Sequence, residues 1–288
     1  MVKEARAPFS PADVWFNGHD QLAVAKARAQ VLEALSVGRG EKLSADIRKF
    51  GWPWNAAFGG GPVSTGSPEA ADPLLLPGGL AVRLLSPSDM ALARLEPAWN
   101  ALLVKASLLT DDPDEAPKSP KDMESLSLLN VDALAAERFV ENATVPNGTS
   151  IAFLAEFGTK RALLGADAHP HQIEAARATL GYGPQNRLPF DLFKLCHHGR
   201  KANLSPALLG RIDCTRFAIS TDGSRHNHPD PQTIARILKA DPGRPKSFYF
   251  NTRQDNATRW DRADLCAKWF YGCVFPRPTV GAGLTVEI

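Results

Sequence analysis

NGTSIAFLAEFGTKRALLGADAHP, residues 147–170, decides the reading of this chain. Within it Ser150 to Phe157 and Arg161 to Gly165 read as two strands joined by a turn at Gly158-Thr159, since apolar and β-branched runs are broken there by turn-forming residues. His171 to Thr179 carries the signal of a helix that starts behind Pro170. The alternation then continues. Leu192 to Cys196 reads as a strand, Pro206 to Arg211 as a short helix, Arg216 to Ser220 as a strand and Gln232 to Lys239 as a helix. Ser247 to Asn251 and Leu284 to Ile288 read as closing strands. Strands alternating with helices place the chain in the α/β class, with helices layered on a sheet.

Upstream the rhythm is less regular. Val14-Trp15-Phe16 reads as a short strand ended by Asn17-Gly18, Gln21 to Ser36 as a helix and Leu43 to Phe50 as a second helix. Gly51 to Gly79 is rich in Gly and Pro and reads as irregular. Ala81 to Leu85 reads as a strand and Met90 to Leu109 as a long helix. TDDPDEAPKSPKDMES, residues 110–125, has three prolines, many charges and one large apolar side chain, so it reads as a linker or insertion. The expected organisation is therefore 1–109, a linker at 110–125, and 126–288.

A chain of 288 residues can build a core without disulfides. Its four cysteines, Cys196, Cys214, Cys266 and Cys273, form no C-x-x-C pair, which argues against a zinc knuckle or a dithiol redox motif. The net charge of +2 excludes a strong global field toward nucleic acid or an acidic membrane. The N-terminus lacks the apolar core of a secretory signal, and no apolar run approaches the roughly 20 residues that cross a bilayer. The expectation is a cytoplasmic protein with no membrane partner.

Histidine placement points to the chemistry. Six of the seven histidines fall between His169 and His228. Asp167 follows one expected strand, His197 and His198 follow the next, and His226 and His228 follow the third. Loops at strand ends converge side chains above a rigid edge, and carboxylate with imidazole is a donor set that suits zinc or manganese. Each piece also has an ordinary reading. Asp167 can be a turn former, His169 and His171 can be exposed at a helix start, and His226 and His228 can be loop residues.

The segment quoted first, followed by LFKLCHHG, AISTDG and HNHPDPQTIARIL, resembles the metallo-β-lactamase superfamily, and within it the ComEC-like hydrolases. The corresponding segments there read N-x-x-S, L-L-T-G-D, H-H-G-S and G-H-P. VWFNGH, Trp54-Asn55 and GGLAVRLLSPS resemble stretches lying between the metal motifs. The resemblance implies a metallo-β-lactamase-type αββα sandwich and a metal-dependent hydrolase of phosphodiesters or related bonds. It implies that Asp167 bridges two zinc or manganese ions about 3.5–4 Å apart. His197 would be the late metal ligand, His198 the second choice, and His228 the residue that steadies a phosphate or leaving group. Ala166 departs from the Gly that usually precedes the aspartate, and Arg200 from the Ser of H-H-G-S.

The main ligand motif of that family, H-x-H-x-D-H, cannot be written anywhere in the chain; only His19 precedes position 169. The chain thus reads as a sandwich incomplete at its N-terminal end, through a mis-assigned start, a gene fragment, or a degenerate member kept for binding. A catalytic zinc takes three protein ligands plus water, so this chain alone is expected to hold metal weakly or not at all, to be inactive, and to dimerise or await a missing segment. A non-catalytic α/β binding or interaction module is the alternative. Lys194, Arg200, Lys201 and Arg225 near the expected site offer contacts to the phosphates of a nucleic-acid substrate. Gly59-Gly60-Gly61 lacks the Lys-Ser/Thr of a phosphate-binding loop.

Overall fold

A computed structural model describes residues 7, 9–29, 39–95, 129–183, 185–224, 226–277 and 283–288. The linker expected at 110–125, the later parts of the helices expected at 21–36 and 90–109, and Arg225 lie outside the described residues. The chain folds as two compact units, whose described residues fall within 1–74, 87–112 and 144–149 for the first and 75–86, 113–143 and 150–288 for the second. Among the described residues no helix is long and apolar enough to cross a membrane.

In the first unit helices run His19–Ala29 and Arg39–Phe50, and residues 89–95 are helical as well. Leu22, Ala25, Leu92 and Leu95 form its small core, with Phe16 and Val145 packed against it. The strand expected at 14–16 is reduced to one bridge, Val14 to Trp54. Here a side chain substitutes for a strand ladder. Asn55, fully buried, accepts the Phe16 N–H at 2.8 Å and donates to the carbonyls of Phe16 and Gly61 at 3.0 and 2.9 Å. The buried backbone polar groups that a loop leaves behind are thereby paired.

The second unit is a mixed α/β structure. Its strands are β1 (Leu74–Leu75), β2 (Ala81–Ser86), β3 (Ala152–Phe157), β4 (Lys160–Leu164), β5 (Leu188–Pro189), β6 (Leu192–Lys194), β7 (Ile212–Asp213), β8 (Arg216–Ile219), β9 (Lys246–Phe250) and β10 (Tyr271–Val274). Eight of them form one sheet in the order β1-β2-β3-β4-β6-β8-β9-β10, and β5 pairs with β7. β2, β3 and β4 are antiparallel neighbours, whereas β4 through β10 run parallel. β2, which precedes residues 110–125, thus shares a sheet with β3, which follows them.

The parallel half is built around a row of aromatic side chains. Phe193 pairs in register with Phe217, and Phe217 with Phe248. Their ring centroids are 6.4 and 5.8 Å apart, and all three rings are buried. Burial of each contributes about 1.5–3 kcal/mol. Ile234, Ile237 and Leu238 of the helix Pro231–Ala240 belong to the same buried core, and that helix packs on the short helix Val131–Ala136. Pro231 suits the first helical position, where no N–H is needed. Leu284 to Ile288 forms no strand; β10 and the helix Ala263–Trp269 before it complete the sheet instead.

Candidate functional site

The residues singled out by the sequence gather at the carboxyl ends of three neighbouring parallel strands. Gly165 to Asp167 leave β4, Cys196 to His198 leave β6, and Ser220 onward leaves β8. The first two turns are stitched together, since the His197 N–H donates to the Ala166 carbonyl at 2.7 Å. Their backbones sit in the left-handed region. Ala166 has φ +43°, His197 +44°, His198 +58° and Gly199 +84°. Side chains there cost about 1–2 kcal/mol each, and strained backbone of this kind clusters at sites where geometry is over-determined. The tight turn sets the two imidazoles of the pair 6.1 Å apart and nearly perpendicular.

Ala166 offers a test of that strain. It is exposed, and glycine adopts φ +43° without the Cβ penalty. Ala166→Gly is therefore expected to stabilise the fold by about 0.5–1 kcal/mol, after the entropy gained by the unfolded chain is subtracted. Urea midpoints of the two proteins check this, and a destabilised variant would show that the turn carries no such strain.

His197 is half-buried, and its neighbours define the site. Burial pushes its pKa down to about 4; Asp167 opposes that shift, while Arg200, His228 and His198 add to it. The imidazole of His228 stands 5.7 Å from that of His197, edge to face. Asp167, His197 and His228 are thus one neighbourhood. His198 turns outward, and its Nδ1 bonds the Ser220 carbonyl. A carbonyl only accepts, so Nδ1 carries the proton of that hydrogen bond. His226 lies beyond His228 at 5.9 Å between centroids.

Three supporting residues had no signature in the sequence. Asp230 pairs with Nδ1 of buried His228 at 2.9 Å and accepts the Lys201 N–H at 2.8 Å. Burial alone would raise the Asp230 pKa, but these hydrogen bonds and the charges of His228 and Lys201 outweigh it and hold the carboxyl below its ordinary value. Asn203, fully buried, donates to the carbonyls of Asp167 and Ala168 at 3.1 and 3.2 Å. Gln254 donates to the His228 carbonyl at 3.0 Å. Asp230 fixes the ring of His228, Asn203 the loop of Asp167, and Gln254 the backbone between them.

No family model, curated protein or solved structure matches this chain. Asp167 is close enough to His197 to favour its protonated form, and His198 is exposed on the same turn. Among the described residues no group of three or more His, Cys, Asp or Glu side chains is placed to hold a metal ion. Asp167 and His197 alone would fall short of the three protein ligands that a catalytic zinc takes.

His169 is buried, not exposed, and its N–H is held by Gln172 Oε1 at 3.2 Å at the start of the helix Pro170–Thr179. The flanking Pro170 gave a correct helix start, but tertiary packing covers the ring. His171 is the exposed member of that pair and bonds Glu141 at 2.9 Å.

Proposed function

We propose that the β4–β6–β8 edge is a metal-dependent hydrolase-type centre of the metallo-β-lactamase kind, directed at a phosphodiester or related bond. The observation that carries the reading is the meeting of Asp167, His197 and His228 from adjacent parallel strand ends, with His228 oriented by Asp230. A bound zinc or manganese ion would supply positive charge toward an ester oxygen. Asp167 and His197, with His198 as an outer donor, are the residues that would hold it. As they stand these donors do not complete the ion's coordination, and no reaction step is assigned to it. The remaining roles belong to the chain itself. With Nδ1 on Asp230, His228 has Nε2 to place a proton on a phosphate or leaving-group oxygen. A nucleic-acid backbone is the macromolecular substrate this chemistry suits, with Arg200 and Lys201 beside the site.

A non-catalytic α/β binding module is the second reading, favoured by the shortfall of converging donors. Zinc or manganese titration followed by calorimetry separates the two. The expected result is weak binding that falls at least about tenfold, or about 1.4 kcal/mol, in Asp167→Asn and in His197→Ala, and holds in His171→Ala. Hydrolysis of bis(p-nitrophenyl) phosphate by the chain alone is expected at background. Ion binding indifferent to both Asp167→Asn and His197→Ala would remove the hydrolase reading and leave the binding module.

A further inference from the structure

The eight-stranded sheet ends differently on its two sides. One edge is β1, two residues set between Pro73 and Pro77, a length and a flanking that discourage a further strand from adding. The other edge is β10, Tyr271–Val274, which pairs with β9 in parallel and has no strand beyond it. The Lys246 N–H donates to the Phe270 carbonyl at 2.9 Å, and this fixes the phase of the ladder. The backbone groups of Gly272 and Val274 then turn toward β9, and those of Tyr271 and Cys273 turn outward. Among the described residues no hydrogen bond reaches these outer N–H and C=O groups. The edge also lacks what blunts one, since YGCV holds no charge and no proline. On either side of Gly272, Phe270 is 58% exposed and Val274 38%.

The strand is already fixed from behind. The Tyr271 ring packs edge-on to that of Phe248, with centroids 5.6 Å apart, and its hydroxyl donates to the Trp260 carbonyl at 2.7 Å. Association there orders little that is not ordered already. Symmetry decides what fits. A second β10 laid antiparallel about a two-fold axis through Gly272 sets Tyr271 of each copy opposite Cys273 of the other, so their outer N–H and C=O groups exchange hydrogen bonds. The same axis sets Phe270 opposite Val274 of the other copy, apolar against apolar. Gly272 faces its own copy at the centre, where a Cβ would meet nothing within 4 Å in its own chain. An uncharged strand brings no like charge against itself. An unrelated extended peptide would satisfy the hydrogen bonds without this built-in match for Phe270 and Val274.

We propose that β10 is a dimerisation edge, joining two copies of this chain antiparallel about Gly272 into one continuous sheet. It is independent of the function proposed for the histidines. Sedimentation velocity of the full chain under reductant, from about 1 to 500 μM, is expected to show a reversible monomer–dimer equilibrium with a Kd on the order of 100 μM, as suits a small interface. Val274→Lys places a charge on the edge, and Phe270→Asn removes the ring while keeping a residue that tolerates φ +54°. Each should raise the Kd at least about tenfold, with unchanged thermal midpoints as the check on folding. Gly272→Cys in a Cys273→Ser background reads the register. Facing Cα atoms at that non-hydrogen-bonded position stand about 4.5 Å apart, within the span of a disulfide. Diamide, reduced to its hydrazine as it takes two protons and two electrons from the thiols, should join two chains through residue 272, seen by mass spectrometry as the linked peptide. A monomer throughout the range would leave the edge to an extended segment of another protein and overturn the proposal. So would a dimer whose Kd is unchanged in both edge variants, or one that forms no link between the two residues 272.

Discussion

Gly199→Ala is expected to destabilise the second unit by about 2–5 kcal/mol and to undo the placement of His228. Two costs add. At φ +84° a Cβ carries a left-handed penalty of about 1–2 kcal/mol. That same Cβ would stand 2.9 Å from the Pro229 Cβ and 3.5 Å from its Cα, and relieving such overpacking costs about 1–3 kcal/mol. The yielding partner is the 228–230 segment, because the Gly199 carbonyl also accepts the Asp230 N–H at 3.1 Å. A shift there loosens the Asp230 contact to His228, so the effect reaches the site as well as the fold. Gly210 is the matched control. It lies in the helix Pro206–Arg211, and a Cβ there meets nothing within 4 Å. Gly210→Ala is expected to stabilise by about 0.5–1 kcal/mol. Urea unfolding of both variants reads the contrast, and a Gly199→Ala loss below about 0.5 kcal/mol would show that the turn yields freely.

The parts of the fold that the sequence made legible are those with a repeating local cause. Residues 152–164 show two apolar runs around Gly158, and they pair as β3 and β4 with Phe157 opposite Lys160. The run at 192–196 predicts a strand, and the strand ends at Lys194, just before the turn in which His197, His198 and Gly199 are left-handed. YGCV at 271–274 is four residues with a glycine and shows no such pattern, yet its pairing with β9 makes it the sheet's last strand. Leu284–Ile288 has the composition of a strand, but a strand exists only where a partner accepts its hydrogen bonds. For the site, the strand-end position of Asp167, His197 and His228 was visible, because strand and turn signals lie beside them. Asn203 and Gln254 were not, since they act on backbone carbonyls reached only through the tertiary fold. The burial of His169 was hidden for the same reason.

Acid is expected to weaken the protein in a window set by His197. Its neutral imidazole is favoured in the fold, because burial, the Arg200 guanidinium and the nearby imidazoles of His228 and His198 oppose a proton there more than Asp167 invites one. In the unfolded chain it titrates near about 6.5. Above that pH both states are neutral and the stability is fully present. As pH falls from about 6.5 toward the folded value of about 4, the unfolded chain binds the proton first, and stability is lost across that interval. The shift corresponds to a loss on the order of 2–3 kcal/mol, reduced from the full value because the ring is partly solvated. The depressed carboxyls, Asp230 among them, begin from ordinary values near 3.8, so their contribution is centred at lower pH. His197→Asn isolates the effect, because asparagine tolerates the left-handed backbone at φ +44° and does not titrate. Urea unfolding free energies of the wild-type chain should fall between pH 6.5 and 4 more steeply than those of His197→Asn, and the two curves should converge in shape above pH 7. Parallel curves through the whole range would mean that His197 takes up its proton without cost, and that the ring is not held in the half-buried position beside Asp167 and His228.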